Sequence, residues 1–315
     1  MKALRIGTRG SPLALSQANA VAATVTNNNG PACELIVIKT TGDRLAHASL
    51  SDVGGKRLFV KEIEEALLTK TIDVAVHSAK DLPADLPPGL IIGAALPRAD
   101  PHDALVLPDD HEAASLNDPE SIMASLGSSP RLGTGSVRRV ALLSARFPTA
   151  RFEPIRGNIG TRLRKLDTGG YDLLVLAAAG LVRLNLARRI SAVLPFDTCL
   201  PAPGQGIVAI ESRASDKSTA AILATVTDSQ TMTALEAERA LLQTLGGGCQ
   251  MPVGGLATPE TEGLRLCAVV AALDGSRVLR KTGHGVASAA DALGRRVAHD
   301  LIAHGAGEIL ATVGE

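Results

Sequence analysis

Apolar and polar positions along this chain alternate with two different periods, and their succession predicts a mixed α/β protein. Leu4 to Gly7 has the pattern of a short strand, and Ser11-Pro12 opens a helix to about Thr26, with Ser as cap and Pro at the first helical position. Glu34 to Lys39 predicts a second strand and Val60 to Leu68 an amphipathic helix. Ile72 to His77 predicts a third strand, which ends at Ser78-Ala79-Lys80-Asp81-Leu82-Pro83. Ligands of α/β sheets lie beyond the carboxyl ends of strands, so this last loop is a candidate site.

A further strand, Ile91 to Leu96, leads into Pro97-Arg98-Ala99-Asp100-Pro101-His102-Asp103, a turn-rich stretch typical of a crossing between domains. A second α/β unit follows, with strands at Ala104 to Leu107, Arg131 to Thr134, Arg151 to Ile155 and Asp172 to Leu176. Its helices start near Ser136, Asn158 and Ala178. Pro201-Ala202-Pro203-Gly204-Gln205-Gly206 has the composition of a second hinge, ahead of a strand from Ile207 to Glu211. From Thr231 the pattern changes to helix, glycine loop, strands at Leu264 to Ala271 and Val278 to Lys281, and a long helix from about Ala287 to His304. That succession predicts a small third α+β domain. No internal repeat is evident.

Composition narrows the function classes. The 315 residues are 45% hydrophobic, enough for two or three domains, and only 2% aromatic with no Trp, which argues against stacking platforms for bases or sugars. Lys+Arg 32 balance Asp+Glu 32, so no global field draws nucleic acid. Arg outnumbers Lys by more than two to one, however, and its planar fork suits bidentate grip on carboxylates or phosphates. The N-terminal residues carry no apolar leader or span, which predicts a cytoplasmic protein without membrane contact. Cys33, Cys199, Cys249 and Cys267 show no disulfide framework or paired metal spacing, and Cys33 and Cys267 are expected in the core.

Four segments join Arg to Gly, Ser, Thr or Asn at expected loop-to-helix junctions: Thr8-Arg9-Gly10-Ser11, Gly133 to Arg139, Arg156 to Arg162, and Gly180-Leu181-Val182-Arg183. Helix N-termini offer free N–H groups and partial positive charge, and added guanidinium groups make anion sites. Four together suggest a ligand with many carboxylates or phosphates. Asp81, after His77 and Lys80 and before Pro83, is either a turn cap or an anion kept ionised by basic neighbours. Lys80 pairs with Asp81 or binds an anion, and His77 is expected to be a hydrogen-bonded structural histidine. Lys56, in Val53-Gly54-Gly55-Lys56-Arg57-Leu58-Phe59, lacks the spacing of a nucleotide-binding loop and lies in either a basic flap or an exposed turn. Cys249 follows Gly246-Gly247-Gly248, a setting that lets a bulky group approach the sulfur.

These motifs, over essentially the full length, resemble the porphobilinogen deaminase family. The resemblance rests on Arg9 with Ser11-Pro12-Leu13-Ala14-Leu15, Gly54-Gly55-Lys56, Val76 to Pro83, Arg138-Arg139, Arg156-Gly157-Asn158 with Thr161-Arg162-Leu163, Leu200-Pro201-Ala202 with Gly204-Gln205-Gly206, and Gly247-Gly248-Cys249-Gln250. It implies an enzyme that joins four porphobilinogen molecules head to tail into hydroxymethylbilane, releasing ammonia at each addition. It also implies a dipyrromethane cofactor in thioether linkage to Cys249, and Asp81 as catalytic carboxylate. By the same resemblance, Lys80, Asp43, Thr134, Ser136, Arg138, Arg139, Arg156, Arg162 and Arg183 bind the cofactor. Arg9, Ser11, Arg156, Arg162 and Arg183 bind substrate, and Lys56 and Phe59 belong to a flap. The implied fold has two periplasmic-binding-protein-like (type II) α/β domains around a cleft, plus a small C-terminal α+β domain. The divisions are 1–98 with 205–225, 99–204 and 226–315, and the protein is expected to be a monomer.

Three positions depart from the family pattern: Gly135 stands for a frequent Ser, Arg57 for the usual Gly, and Ala79 for a common Met. Two other readings remain open at this level. One is a non-enzymatic anion-binding protein with a packing Cys249, the other a thiol enzyme with Cys249 as a turning-over nucleophile.

Overall fold

The computed structural model describes residues 2–44, 60–109, 111–112, 116–248 and 250–312, and of residues 43 and 44 the backbone alone. In chain order it begins with β1 (Leu4–Thr8), α1 (Pro12–Asn27), β2 (Cys33–Val37), α2 (Thr41–Arg44), α3 (Lys61–Leu68), β3 (Val74–Ser78) and β4 (Leu90–Ala95). The chain then crosses to β5 (Asp103–Val106), α4 (Pro119–Ser125), β6 (Arg131–Gly133), α5 (Val137–Arg146), β7 (Arg151–Glu153), α6 (Ile159–Asp167), β8 (Leu173–Ala177), α7 (Ala178–Arg183) and β9 (Ala192–Val193). It returns as β10 (Val208–Arg213) and α8 (Lys217–Ala224). It finishes with α9 (Ser229–Thr244), β11 (Val253–Glu260), β12 (Gly263–Ala271), β13 (Val278–Gly285), α10 (Ala290–Ala303) and α11 (Ala306–Ala311).

Two five-stranded sheets result, β2-β1-β3-β10-β4 and β7-β6-β8-β5-β9, with the same internal plan. In each, three strands are parallel and the fourth position is filled by an antiparallel strand that the chain supplies as it enters or leaves the other sheet. Both sheets also carry one matching tie. Arg5 at the start of β1 pairs with Asp73 ahead of β3 at 2.7 Å, and Arg131 at the start of β6 pairs with Asp172 ahead of β8 at 2.8 Å. The backbone N–H of each Arg donates to the same carboxylate. The structure therefore contains a repeat that is not evident in the sequence.

Local chemistry explains the helix starts. Ser11 accepts from Ala14 N, Ser136 from Arg139 N and Asn158 from Thr161 N, each satisfying an N–H the helix cannot. The third unit is an antiparallel sheet, β11-β12-β13, packed on α9, α10 and α11. Leu241, Leu266, Val270 and Leu301 are fully buried between them. Each such side chain contributes about 1.5–3 kcal/mol through removal from water. β11 was not expected, because Gly254, Gly255 and Pro259 resemble a loop. The two glycines leave room for Leu200 O and the Leu241 side chain to approach closely. The last long helix starts at Ala290 rather than Ala287, after a 3₁₀ turn over Ala287–Ala289. Cys33 and Cys267 are half-buried rather than fully in the core, whereas Cys199 is buried.

Candidate active site

The carboxyl ends of β1, β3, β6, β7 and β8 lead directly into the segments that carry the candidate residues. Beyond β3 the chain forms a 3₁₀ turn over Ala79–Asp81, which leaves Asp81 exposed while Ala79 and Leu82 anchor it in the core. Gln17, buried on α1, exchanges hydrogen bonds with Ser78 Oγ at the root of this turn (2.8 and 3.2 Å). His77 Nε2 lies 3.1 Å from Glu211 Oε2 inside the sheet, a structural placement.

Lys80 and Asp81 face a set of cations from the second sheet. Burial and the neighbouring Arg139 guanidinium bring the Lys80 ammonium down to about 8, although part of the side chain stays open to the cleft and Asp81 and Asp103 pull the other way. Burial and the field of Arg139 lower Arg162 to about 10, with Asp81 again opposing and Arg156 adding to the shift. Asp81 thus lies within electrostatic reach of both Lys80 and Arg162. Arg162 Nε also donates to Gly157 O at 2.8 Å, which sets its direction.

Arg138 and Arg139, in the first turn of α5, are buried around Asp103, a residue the sequence did not single out. Arg138 Nη1 lies 2.8 Å from Asp103 Oδ2, and Arg139 Nη2 lies 2.7 Å from Oδ1. Burial alone would raise the Asp103 carboxyl, but the two guanidinium groups hold it far below the ordinary carboxylate range. Arg138 also donates to Leu200 O (2.7 Å) and Arg139 to Val175 O (2.7 Å). Arg138 Nε remains buried with no acceptor among the described residues. Cys199 contacts both Arg138 and Asp103, its thiol pushed up to about 12 by burial and by Asp103.

The remaining candidates fall as follows. Arg9 and Ser11 stand at the carboxyl end of β1, half-buried. Thr134 Oγ1 accepts from Ser136 N at 3.3 Å, and Arg156 is half-buried ahead of α6. The helix starts at Ala178 as expected, and because it is only six residues long Arg183 lies in its last turn rather than at a loop-to-helix junction. There its Nη2 donates to Gly206 O at 2.7 Å. Cys249, Lys56 and Phe59 lie outside the described residues, as does the side chain of Asp43. A narrow cleft of about 40 Å³ nevertheless runs up to the neighbour of Cys249: Lys80, Ser136, Arg138, Pro203, Gly248 and Met251 line it.

The sequence that builds this cleft matches two family models. The family model "porphobilinogen deaminase, dipyrromethane cofactor binding domain" covers residues 4–221, and the model of the porphobilinogen deaminase C-terminal domain covers 232–303. The chain belongs to the porphobilinogen deaminase family. A porphobilinogen deaminase of Moorella thermoacetica is 43% identical over 98% of this chain and 96% of its own length. One of Acidithiobacillus ferrooxidans is 46% identical over 98% of each. Among solved structures, immunogenic lipoprotein A of Vibrio vulnificus is similar with a TM-score of 0.44 and 13% identity, over 73% of this chain and 97% of that one.

The cofactor named in the family model is a polycarboxylate, each of its two pyrroles bearing an acetate and a propionate. The residues present suit it. The orphaned Arg138 Nε lacks an acceptor, and the Lys80 ammonium, desolvated beside Arg139, gains by meeting an anion.

Proposed function

We propose that this chain is a hydroxymethylbilane synthase, a transferase of tetrapyrrole biosynthesis that condenses four porphobilinogen molecules head to tail with loss of ammonia. The observation that carries this reading is Asp81, exposed at the end of β3 and within electrostatic reach of both Lys80 and Arg162. When bound, dipyrromethane supplies the nucleophilic pyrrole carbon to which substrate units are joined. In this reading Cys249 holds it through a thioether, beyond Gly248 at the cleft wall. Lys80, Ser136, Thr134 and Arg138 hold its carboxylates, with Arg139 and Asp43 in support.

The chain's own residues then act on the substrate. Loss of ammonia breaks the aminomethyl C–N bond, the electron pair leaving with nitrogen, and an azafulvene cation remains. The Asp81 carboxylate stabilises that charge as it develops, an electrostatic role suited to an anion held at a fixed place. Arg9, Ser11, Arg156, Arg162 and Arg183 bind the acetate and propionate of the incoming unit, and Lys56 and Phe59 cover the site as a flap. The domains divide at 1–98 with 205–225, 99–204 and 226–315, a division supported by the return of β10 into the first sheet. The protein works as a cytoplasmic monomer on a small-molecule substrate, without nucleic acid or membrane. Among the described residues no helix is long and apolar enough to cross a membrane.

Incubation with porphobilinogen tests the reading. Ammonia and linear tetrapyrrole are expected in a ratio of four to one. Binding of porphobilinogen without ammonia release would instead support an anion-binding protein.

A further inference from the structure

The two chain crossings between the first and second sheets run side by side and meet the catalytic turn at one residue, Gln205. Gly204 and Gly206 on either side of it have φ of 77° and 86°, where side chains are disfavoured. A Cβ on Gly204 would lie 2.9 Å from Lys80 N, and one on Gly206 would lie 2.4 Å from Ala99 O. Both crossings are therefore pressed against each other and against the turn that bears Lys80 and Asp81. Ala79 N adds a bond to Ile207 O at 3.0 Å.

Gln205 itself is 1% exposed. Its Nε2 donates to Pro101 O at 2.8 Å and to Asp103 Oδ1 at 2.9 Å, and its Oε1 accepts from Lys80 Nζ at 3.2 Å. Its backbone carbonyl accepts from Arg98 Nε at 2.9 Å. The amide can face only one way: the two acceptors of the first crossing require its NH₂ end, so its oxygen must face the ammonium. A neutral acceptor suits this position. A carboxylate there would hold Lys80 in a closed ion pair, whereas an amide orients the ammonium and leaves its charge for an anionic ligand.

We propose that Gln205 is a positioning residue that ties the Lys80–Asp81 turn to both domain crossings, so that movement of the two sheets relative to each other is transmitted to the turn. The catalytic meaning of this coupling rests on the function proposed above; the coupling itself does not.

Hydrogen exchange on the full-length wild-type protein in low denaturant provides the first test, and it needs neither activity nor a variant. Residues 79–82 and 98–103 are expected to open together, with one dependence on denaturant; independent opening would overturn the proposal. In Gln205→Met the two segments should uncouple, with exchange of 79–82 about 10-fold faster and α10 unchanged. Turnover of porphobilinogen should fall about 10-fold or more while KM stays within about 3-fold, since the change affects alignment more than ground-state binding. Equal acceleration of exchange everywhere would mark a merely structural role and contradict the proposal. A wild type that shows the coupled opening but releases no ammonia would sink the functional reading and leave the coupling standing.

Discussion

The two five-stranded sheets share a floor and differ at the roof. At their amino ends the same Arg-to-Asp tie recurs, Arg5 with Asp73 and Arg131 with Asp172, and the strand order is the same. Counted from those aspartates, Val76 corresponds to Val175, Ala79 to Ala178 and Leu82 to Leu181, all buried. Lys80 and Asp81 then correspond to Ala179 and Gly180. One sheet thus presents a lysine and a carboxylate at this turn. The other presents no charge there and instead loads its adjoining helix starts with arginines. The framework is set by buried positions, and the chemistry sits on the few positions that framework leaves open.

That comparison can be broken most severely at Asp81. Asp81→Ala should lower turnover about 10³-fold, the size expected for loss of a fixed electrostatic stabiliser. Because Asp81 is exposed, its unfolding free energy should stay within about 0.5 kcal/mol of wild type. Steady-state kinetics with urea unfolding reads both, and normal turnover would move the chemistry elsewhere.

Asp103 marks the opposite case, a carboxylate used for construction. Asp103→Asn leaves two buried guanidinium groups uncompensated and should cost about 3–5 kcal/mol in urea unfolding. Its carboxyl is held below its unfolded value, so its contribution is complete above the unfolded range near about 4 and lost as pH falls further. Wild type should therefore lose more stability than Asp103→Asn on acidification below about pH 4. Parallel acid profiles would argue against the pairing.

Lys80 gives a smaller effect, again a rise of stability with pH but in the alkaline range. Burial lowers its folded-state value to about 8, below that of the unfolded chain, so the unfolded state binds more protons above pH 8. Stability of the protein without ligand should rise from about pH 8 to about pH 10 relative to Lys80→Met. Thermal unfolding across this range measures it, and identical slopes would place the ammonium in solvent. Ser136→Ala, which removes the cap of α5 along with a hydroxyl at the cleft, should cost about 1 kcal/mol in urea unfolding of the protein without ligand and leave α6 untouched.

What the sequence made legible follows the range of the interactions. Ser11-Pro12, Ser136 and Asn158 announce helices through bonds only three residues long, and the structure places the helices where those caps put them. Asp103 gave no such signal. Its partners Arg138 and Arg139 lie 35 and 36 residues away, and an Asp at the end of a turn-rich stretch resembles a cap. β11 was hidden because its glycines serve close packing rather than a turn. The repeat was hidden because its two copies retain buried residues and differ where the site is built. The start of α7 at Ala178 was legible, but its shortness was not, so Arg183 stands at the end of a six-residue helix rather than at a junction before one.

The central claim is that one cleft, walled by Lys80, Arg138 and Gly248, serves a pyrrole cofactor fixed to the adjacent thiol. Intact-mass analysis of the purified protein, followed by peptide mapping across 245–253, tests it most directly. The account predicts a covalent addition of two pyrrole units on Cys249 and no reaction of that residue with a thiol alkylating agent. An unmodified Cys249 that alkylates freely, in protein that porphobilinogen cannot convert to the modified form, would contradict it.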